Sequence, residues 1–195
     1  MASTAADWAT LAETASVFGE MLLTAHLLAQ KPDRQTKIAL LCAAIEDIIA
    51  TTCRQVMLTR FEEQLHLERS QGLVTVERIC ELWTTENAKL FGAEVEMIEP
   101  YRWGWSYISH FIHTRFYCYA YTFAELLVLS LYRAYQQQGE TFVPIYRQIL
   151  ASGGSRSPAD TVAPAGISLA TPDVWQQGYG ILGDLIAELE KTIAG

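Results

Sequence analysis

A chain of 195 residues, half of them hydrophobic and 18% charged, has the composition of a globular protein able to bury a sizeable core, and excludes a disordered one. A net charge of −8 and a pI near 5.0 exclude the basic patches that nucleic-acid phosphates demand, so no nucleic-acid partner is expected. The four cysteines, Cys42, Cys53, Cys80 and Cys118, are scattered with no Cys-x-x-Cys pair. That spacing argues against a cysteine metal site and for free thiols packed as small hydrophobes in a reducing, cytoplasmic setting.

The opening MASTAADWATLAET is small and polar and lacks the basic and apolar stretches of a secretory signal. A helix is predicted from about Leu11 to Gln30, ending before Lys31-Pro32, with Val17, Met21, Leu22 and Leu28 on its apolar side. Glu13 and Glu20, seven apart, share one face of it. Asp33 caps a second helix, predicted to run unbroken to about Ser70 before Gly72, roughly 55 Å at ~1.5 Å per residue. Thr75 caps a third, running to about Leu90. Residues 92–106 read as a loop holding Pro100, Gly104, Tyr101, Trp103 and Trp105.

From Phe116 nothing breaks the next helix before Gly139. Its second half, with Leu126, Leu127, Val128, Leu129 and Leu131, is apolar on all sides and must be covered by other helices. It falls short of the ~20 apolar residues of a membrane span, and Glu125 and Arg133 interrupt it, so no membrane partner is expected. A further helix spans about Phe142 to Leu150. The loop ASGGSRSPADTVAPAG follows, with one helical turn after Ser157-Pro158. Thr171-Pro172 starts a last helix that runs to the end. No strand periodicity is present. The predicted fold class is all-α: a multi-helix bundle forming one helical domain over residues 1–195.

The polar groups that packing does not require concentrate around His110 to Tyr121. His110 and His113, three apart, would share a helix face and could chelate, but no carboxylate follows at ligand spacing. Their other role is hydrogen bonding to a carbonyl or a developing oxyanion. Tyr117, Tyr119 and Tyr121 can donate to the same charge, or simply fill core. Glu63 and His66 in Glu62-Glu63-x-x-His66 would share a face as di-iron bundles require. That chemistry needs a second such motif and two further glutamates, for which Glu46 and Glu125 are available; a solvated charged face beside Arg60 and Arg69 is the plainer account. Glu13, among the small residues Ala12, Thr14, Ala15 and Ser16, is either a solvated glutamate or a metal-ligand carboxylate with Glu20 behind it.

Several stretches carry more than composition. ETASVFGEMLL (13–23), CRQVMLTRFEEQLH (53–66), HFIHTRFYCYAYTFAELLVLSLY (110–132), YRQILASGGSRSP (146–158) and GISLATPDVWQQG (166–178) resemble, in order and spacing, the C-terminal part of the oligoendopeptidase F group of zinc metallopeptidases, relatives of thimet oligopeptidase. The resemblance implies an almost wholly helical fold with a deep channel for short peptides. It implies a helix bearing His-Glu-x-x-His, whose histidines hold zinc while its glutamate activates water. It makes Glu13 the third zinc ligand, with Glu20 in support. It assigns substrate binding and oxyanion stabilisation to His110, Tyr117 and Tyr119, and extends less directly to His113 and Tyr121.

The departures are equally specific. The four histidines are His26, His66, His110 and His113, and no His-Glu-x-x-His occurs in these 195 residues. Ser109 and Arg115 stand where the group usually has proline, and Cys53 where it often has phenylalanine. The expectation is therefore the C-terminal catalytic portion of a zinc-dependent oligoendopeptidase acting on short peptides, silent by itself. Zinc would be the cofactor of the complete enzyme, and the partner an upstream fragment bearing His-Glu-x-x-His or a second copy held through exposed apolar surface. The alternative, from another class, is a non-enzymatic helical module that holds a peptide against the His110–Tyr121 wall without cutting it.

Overall fold

Local signals place three of the helix starts. Asp33 Oδ1 accepts the Thr36 N–H at 3.0 Å, the Thr75 hydroxyl accepts the Arg78 N–H at 3.2 Å, and the Ser157 hydroxyl accepts the Asp160 N–H at 3.2 Å. The computed structural model describes residues 14–195, and no strand occurs among them. The α-helices are α1 (Thr14–Ala29), α2 (Arg34–Thr51), α3 (Cys53–Gln71), α4 (Val76–Phe91), α5 (His110–His113), α6 (Cys118–Gln138), α7 (Val143–Ser152), α8 (Pro158–Val162) and α9 (Asp173–Ala194). Short 3-10 segments occupy Gly92–Glu94, Glu99–Tyr107, Gly139–Phe142 and Ala163–Ala165. The fold is the all-α bundle that the sequence predicts. No helix among the described residues is long and apolar enough to cross a membrane.

The structure departs from the predicted elements in three places. The helix expected to run from Asp33 to Ser70 is broken at Thr52, whose φ of −107° and ψ of −78° depart from regular α-helical values. The break falls in a pair of β-branched residues, Thr51-Thr52, which are stiff and crowd the preceding turn. The hydroxyl of Thr122 donates to the Thr52 carbonyl at 3.1 Å, beside the Val56 N–H that the same oxygen accepts at 3.0 Å, and lies 3.5 Å from the Thr51 carbonyl. The expected loop after Gly92 is largely 3-10 helix, and it wraps Trp83. The indole N–H of Trp83 donates to the Tyr101 carbonyl at 2.9 Å, and Gly104 lies so close that a Cβ there would sit 2.8 Å from the Trp83 ring. Finally, α6 begins at Cys118 and not at Phe116, because Phe116 takes a left-handed φ of 54°.

The described chain divides into two compact units, one running through Ile49 and resuming at Phe123–Gly195, the other Ala50–Thr122. In the first, the apolar half of α6 is the centre. Leu127, Val128, Leu129 and Leu131 are fully buried, and the core includes Phe18, Ile48 and Phe142. Gly178 of α9 lets that helix approach α6 closely, since a Cβ there would lie 2.8 Å from the Leu126 carbonyl oxygen. In the second, α3 and α4 enclose Met57, Leu58, Leu82 and Trp83, with Phe61 edge-on to Trp83 at 5.3 Å.

Candidate functional site

The site residues with definite mutual geometry lie in the unit Ala50–Thr122, and their positions follow from helical spacing. Tyr117 immediately precedes α6, and Tyr121 lies one turn further on, so the two rings share a face. They meet edge to face at 5.3 Å. The half-buried imidazole of His110, on the single turn α5, stacks parallel to Tyr117 at 5.7 Å with 6° between the planes. It stands edge-on to Tyr121, and its Nε2 lies 3.1 Å from the Tyr121 hydroxyl. His110, Tyr117 and Tyr121 therefore form one cluster. Tyr119, two positions from each tyrosine, faces away and is 50% exposed. His113 is exposed as well. Of the two sequence-derived tyrosines beyond Tyr117, it is Tyr121 that reaches His110.

The chemistry of the pair depends on the imidazole tautomer. With the proton on Nε2, His110 donates to the phenol oxygen, and the phenol proton is directed to a further acceptor such as a peptide carbonyl. With the proton on Nδ1, the phenol donates to His110.

A second arrangement holds the backbone between His110 and Tyr117. Glu62 on α3 is 1% exposed, and its Oε1 accepts the backbone N–H of Phe116 at 2.9 Å. His66 sits one turn along, with Nε2 3.6 Å from the same oxygen and its ring 5.2 Å from that of Phe116. Burial, then the Glu62 charge, push the nearby Cys118 thiol up to about 11, so that cysteine stays a thiol and is no nucleophile at neutral pH.

The remaining candidates stand apart from this cluster. Glu63 is exposed while Glu62 is buried, the reverse of what a Glu63–His66 metal pair needs. Glu20 lies exposed on α1, and its charge bears on buried Glu125 of α6. Burial first, then Glu20 and Asp47, push Glu125 up to about 7. Glu13, the expected zinc ligand, lies outside the described residues. Among the described residues no group of three or more His, Cys, Asp or Glu side chains could hold a metal ion. A catalytic zinc takes three protein ligands, so this donor set does not by itself fit one.

Two features escaped the sequence. The pairing of Tyr117 with Tyr121 was signalled by their four-residue spacing. The role of Glu62 had no such signal, because its partner is a backbone N–H far along the chain.

A family model for peptidase family M3 matches residues 3–181. The chain belongs to peptidase family M3. Among its M3 relatives, it is 26% identical over 184 residues to the oligopeptidase PepF of Bacillus subtilis, covering 94% of this chain and 27% of that protein. It is 27% identical over 184 residues to the chromosomal oligoendopeptidase F of Lactococcus lactis subsp. cremoris, covering 94% of this chain and 30% of that one. Its fold is similar to the crystal structure of oligoendopeptidase-F from Enterococcus faecium, with a TM-score of 0.86, 25% identity, and coverage of 96% of this chain and 36% of the other. The M3 chain described here thus spans less than a third of the length of those two curated relatives. The resemblance to oligoendopeptidase F read from its motifs holds.

Proposed function

We propose that this chain is the C-terminal catalytic portion of a zinc-dependent oligoendopeptidase that hydrolyses peptide bonds in short peptides in the cytoplasm. The observation that carries the reading is the His110–Tyr117–Tyr121 cluster, in a chain matched to peptidase family M3 over residues 3–181. A phenol and an imidazole in hydrogen-bond contact can present a donor to the scissile carbonyl, and that donor counts most as the oxygen gains charge. In this reading His110, Tyr117 and Tyr121 hold the carbonyl end of the substrate. Exposed Tyr119 and His113 meet the peptide further out. Glu13 is one ligand to a zinc ion whose other ligands lie on a separate His-Glu-x-x-His segment, and Glu20 orients it. Zinc, when bound in a complete site, supplies a polarised carbonyl and an activated water.

The test is made on the purified 195-residue chain. After dialysis, elemental mass spectrometry should find zinc far below one ion per chain, and internally quenched peptides should remain uncut. Mixing with a His-Glu-x-x-His-bearing segment of an M3 relative should restore both zinc and cleavage. Stoichiometric zinc in the chain alone would overturn the assignment. Peptide binding that persists without zinc, and with no cleavage after mixing, would establish the non-enzymatic module instead.

A further inference from the structure

Glu62 is a buried carboxylate with an unusual employment. On a helix surface both oxygens of a glutamate are satisfied by water, and burial is costly unless hydrogen bonds replace that water. Glu62 is 1% exposed, and its Oε2 has no hydrogen-bond partner among the described residues. What its other oxygen does hold is specific. Oε1 accepts the N–H of Phe116 at 2.9 Å, from 54 residues away in the chain. Phe116 has a φ of 54°, a left-handed conformation that a bulky residue adopts only when its surroundings impose it.

That strained residue lies between the two halves of the candidate site. His110 precedes it on α5, while Tyr117 follows directly and Tyr121 one turn later on α6. The backbone direction at Phe116 sets where Tyr117 projects and in which rotational setting α6 begins. A relaxation to negative φ would carry Tyr117 out of its parallel stack with His110 and withdraw the Tyr121 hydroxyl from His110 Nε2. The His66 ring backs Phe116 from the side of α3. The positive end of the α6 dipole adds to the hold on the carboxylate, which lies close enough to act on the Cys118 thiol at the first residue of that helix.

We propose that Glu62 is a positioning residue. Its carboxylate fixes the left-handed turn at Phe116 and thereby holds His110, Tyr117 and Tyr121 in register for a peptide carbonyl. The role rests on the peptide-site reading above, and it accounts for a Glu62-x-x-x-His66 pair that belongs to no metal-ligand group among the described residues.

The experiment is NMR of the 195-residue chain, reading the ring-current displacement of the His110 and Tyr117 side-chain resonances, followed by titration with a capped alanine-rich hexapeptide. Glu62→Gln retains an acceptor for the Phe116 N–H and should keep the displaced resonances. Glu62→Ala should return them to unstacked positions and weaken the peptide by about tenfold. Phe116→Gly accepts the left-handed turn without strain, so adding it to Glu62→Ala should restore the stack. If Glu62→Ala does not fold, the double variant decides: a folded, stacked double variant supports the proposal, and an unfolded or unstacked one overturns it. A folded Glu62→Ala with its stack intact also overturns it. Wild-type chain that shows the stack, and loses it in Glu62→Ala, but binds no peptide leaves the positioning role standing and defeats the peptide-site reading.

Discussion

The hydroxyl of Thr122 donates to the carbonyl oxygen of Thr52 at 3.1 Å, where α2 gives way to α3. Both residues are buried, so water cannot take the place of that donor. Thr122→Val keeps the shape and removes the hydroxyl, and should cost about 0.5–1.5 kcal/mol, the Thr52 carbonyl keeping the Val56 N–H at 3.0 Å. Thr122→Ser should recover most of the loss. Urea denaturation measures both, with an unchanged slope showing that the unfolded state is unaltered. A Thr122→Val variant as stable as wild type would mean that the break at Thr52 needs no outside donor.

Glu125 makes stability depend on pH with a definite sign. Its folded value of about 7 lies above its ordinary 4.5, because of burial first and then the Glu20 and Asp47 charges. The folded chain therefore keeps a proton that the unfolded chain releases between those values. The stabilisation is whole below about 4.5, declines as pH rises, and is gone above about 7. Glu125→Gln removes this dependence. It should match wild type near pH 4.5 and exceed it at pH 8 by on the order of 2–3 kcal/mol. Paired denaturant melts at the two pH values test it, and a variant less stable than wild type at pH 8 would contradict it.

Two glycines of α9 should respond oppositely to alanine. A Cβ at Gly178 would meet the Leu126 backbone oxygen at 2.8 Å, and that atom cannot turn aside as a side chain can. Gly178→Ala should cost about 1–3 kcal/mol. Gly183 has nothing within 4 Å of such a Cβ, so Gly183→Ala should gain about 0.5–1 kcal/mol from the lower entropy of the unfolded chain. Thermal denaturation of the two variants separates packing from propensity.

Within the aromatic cluster, Tyr121 should matter more than Tyr119 for holding a peptide. Tyr121→Phe removes the hydroxyl 3.1 Å from His110 Nε2, worth roughly three- to tenfold in affinity. Tyr119→Phe acts at a half-exposed position and should change affinity by no more than roughly twofold. Calorimetry with a short capped peptide compares them, and a larger effect at Tyr119 would place the peptide on the opposite face of α6.

The sequence by itself determined the all-helical class, the family resemblance and most helix starts, because periodicity and capping act over a single turn. Asp33, Thr75 and Ser157 cap as their spacing says, and Leu127 to Leu131 are buried as an all-apolar run must be. Thr171-Pro172 announced the last helix, although α9 opens at Asp173 with no side-chain cap. Only the tertiary structure decided that the long helix breaks at Thr52, that Phe116 turns left-handed, and that Glu62 and not Glu63 faces inward. It likewise decided that Tyr121 and not Tyr119 meets His110. The physical reason is separation along the chain. The Thr122 hydroxyl acts on a carbonyl 70 residues away, and Glu62 holds an N–H 54 residues away. No local pattern encodes such partners; they meet only once the helices have packed.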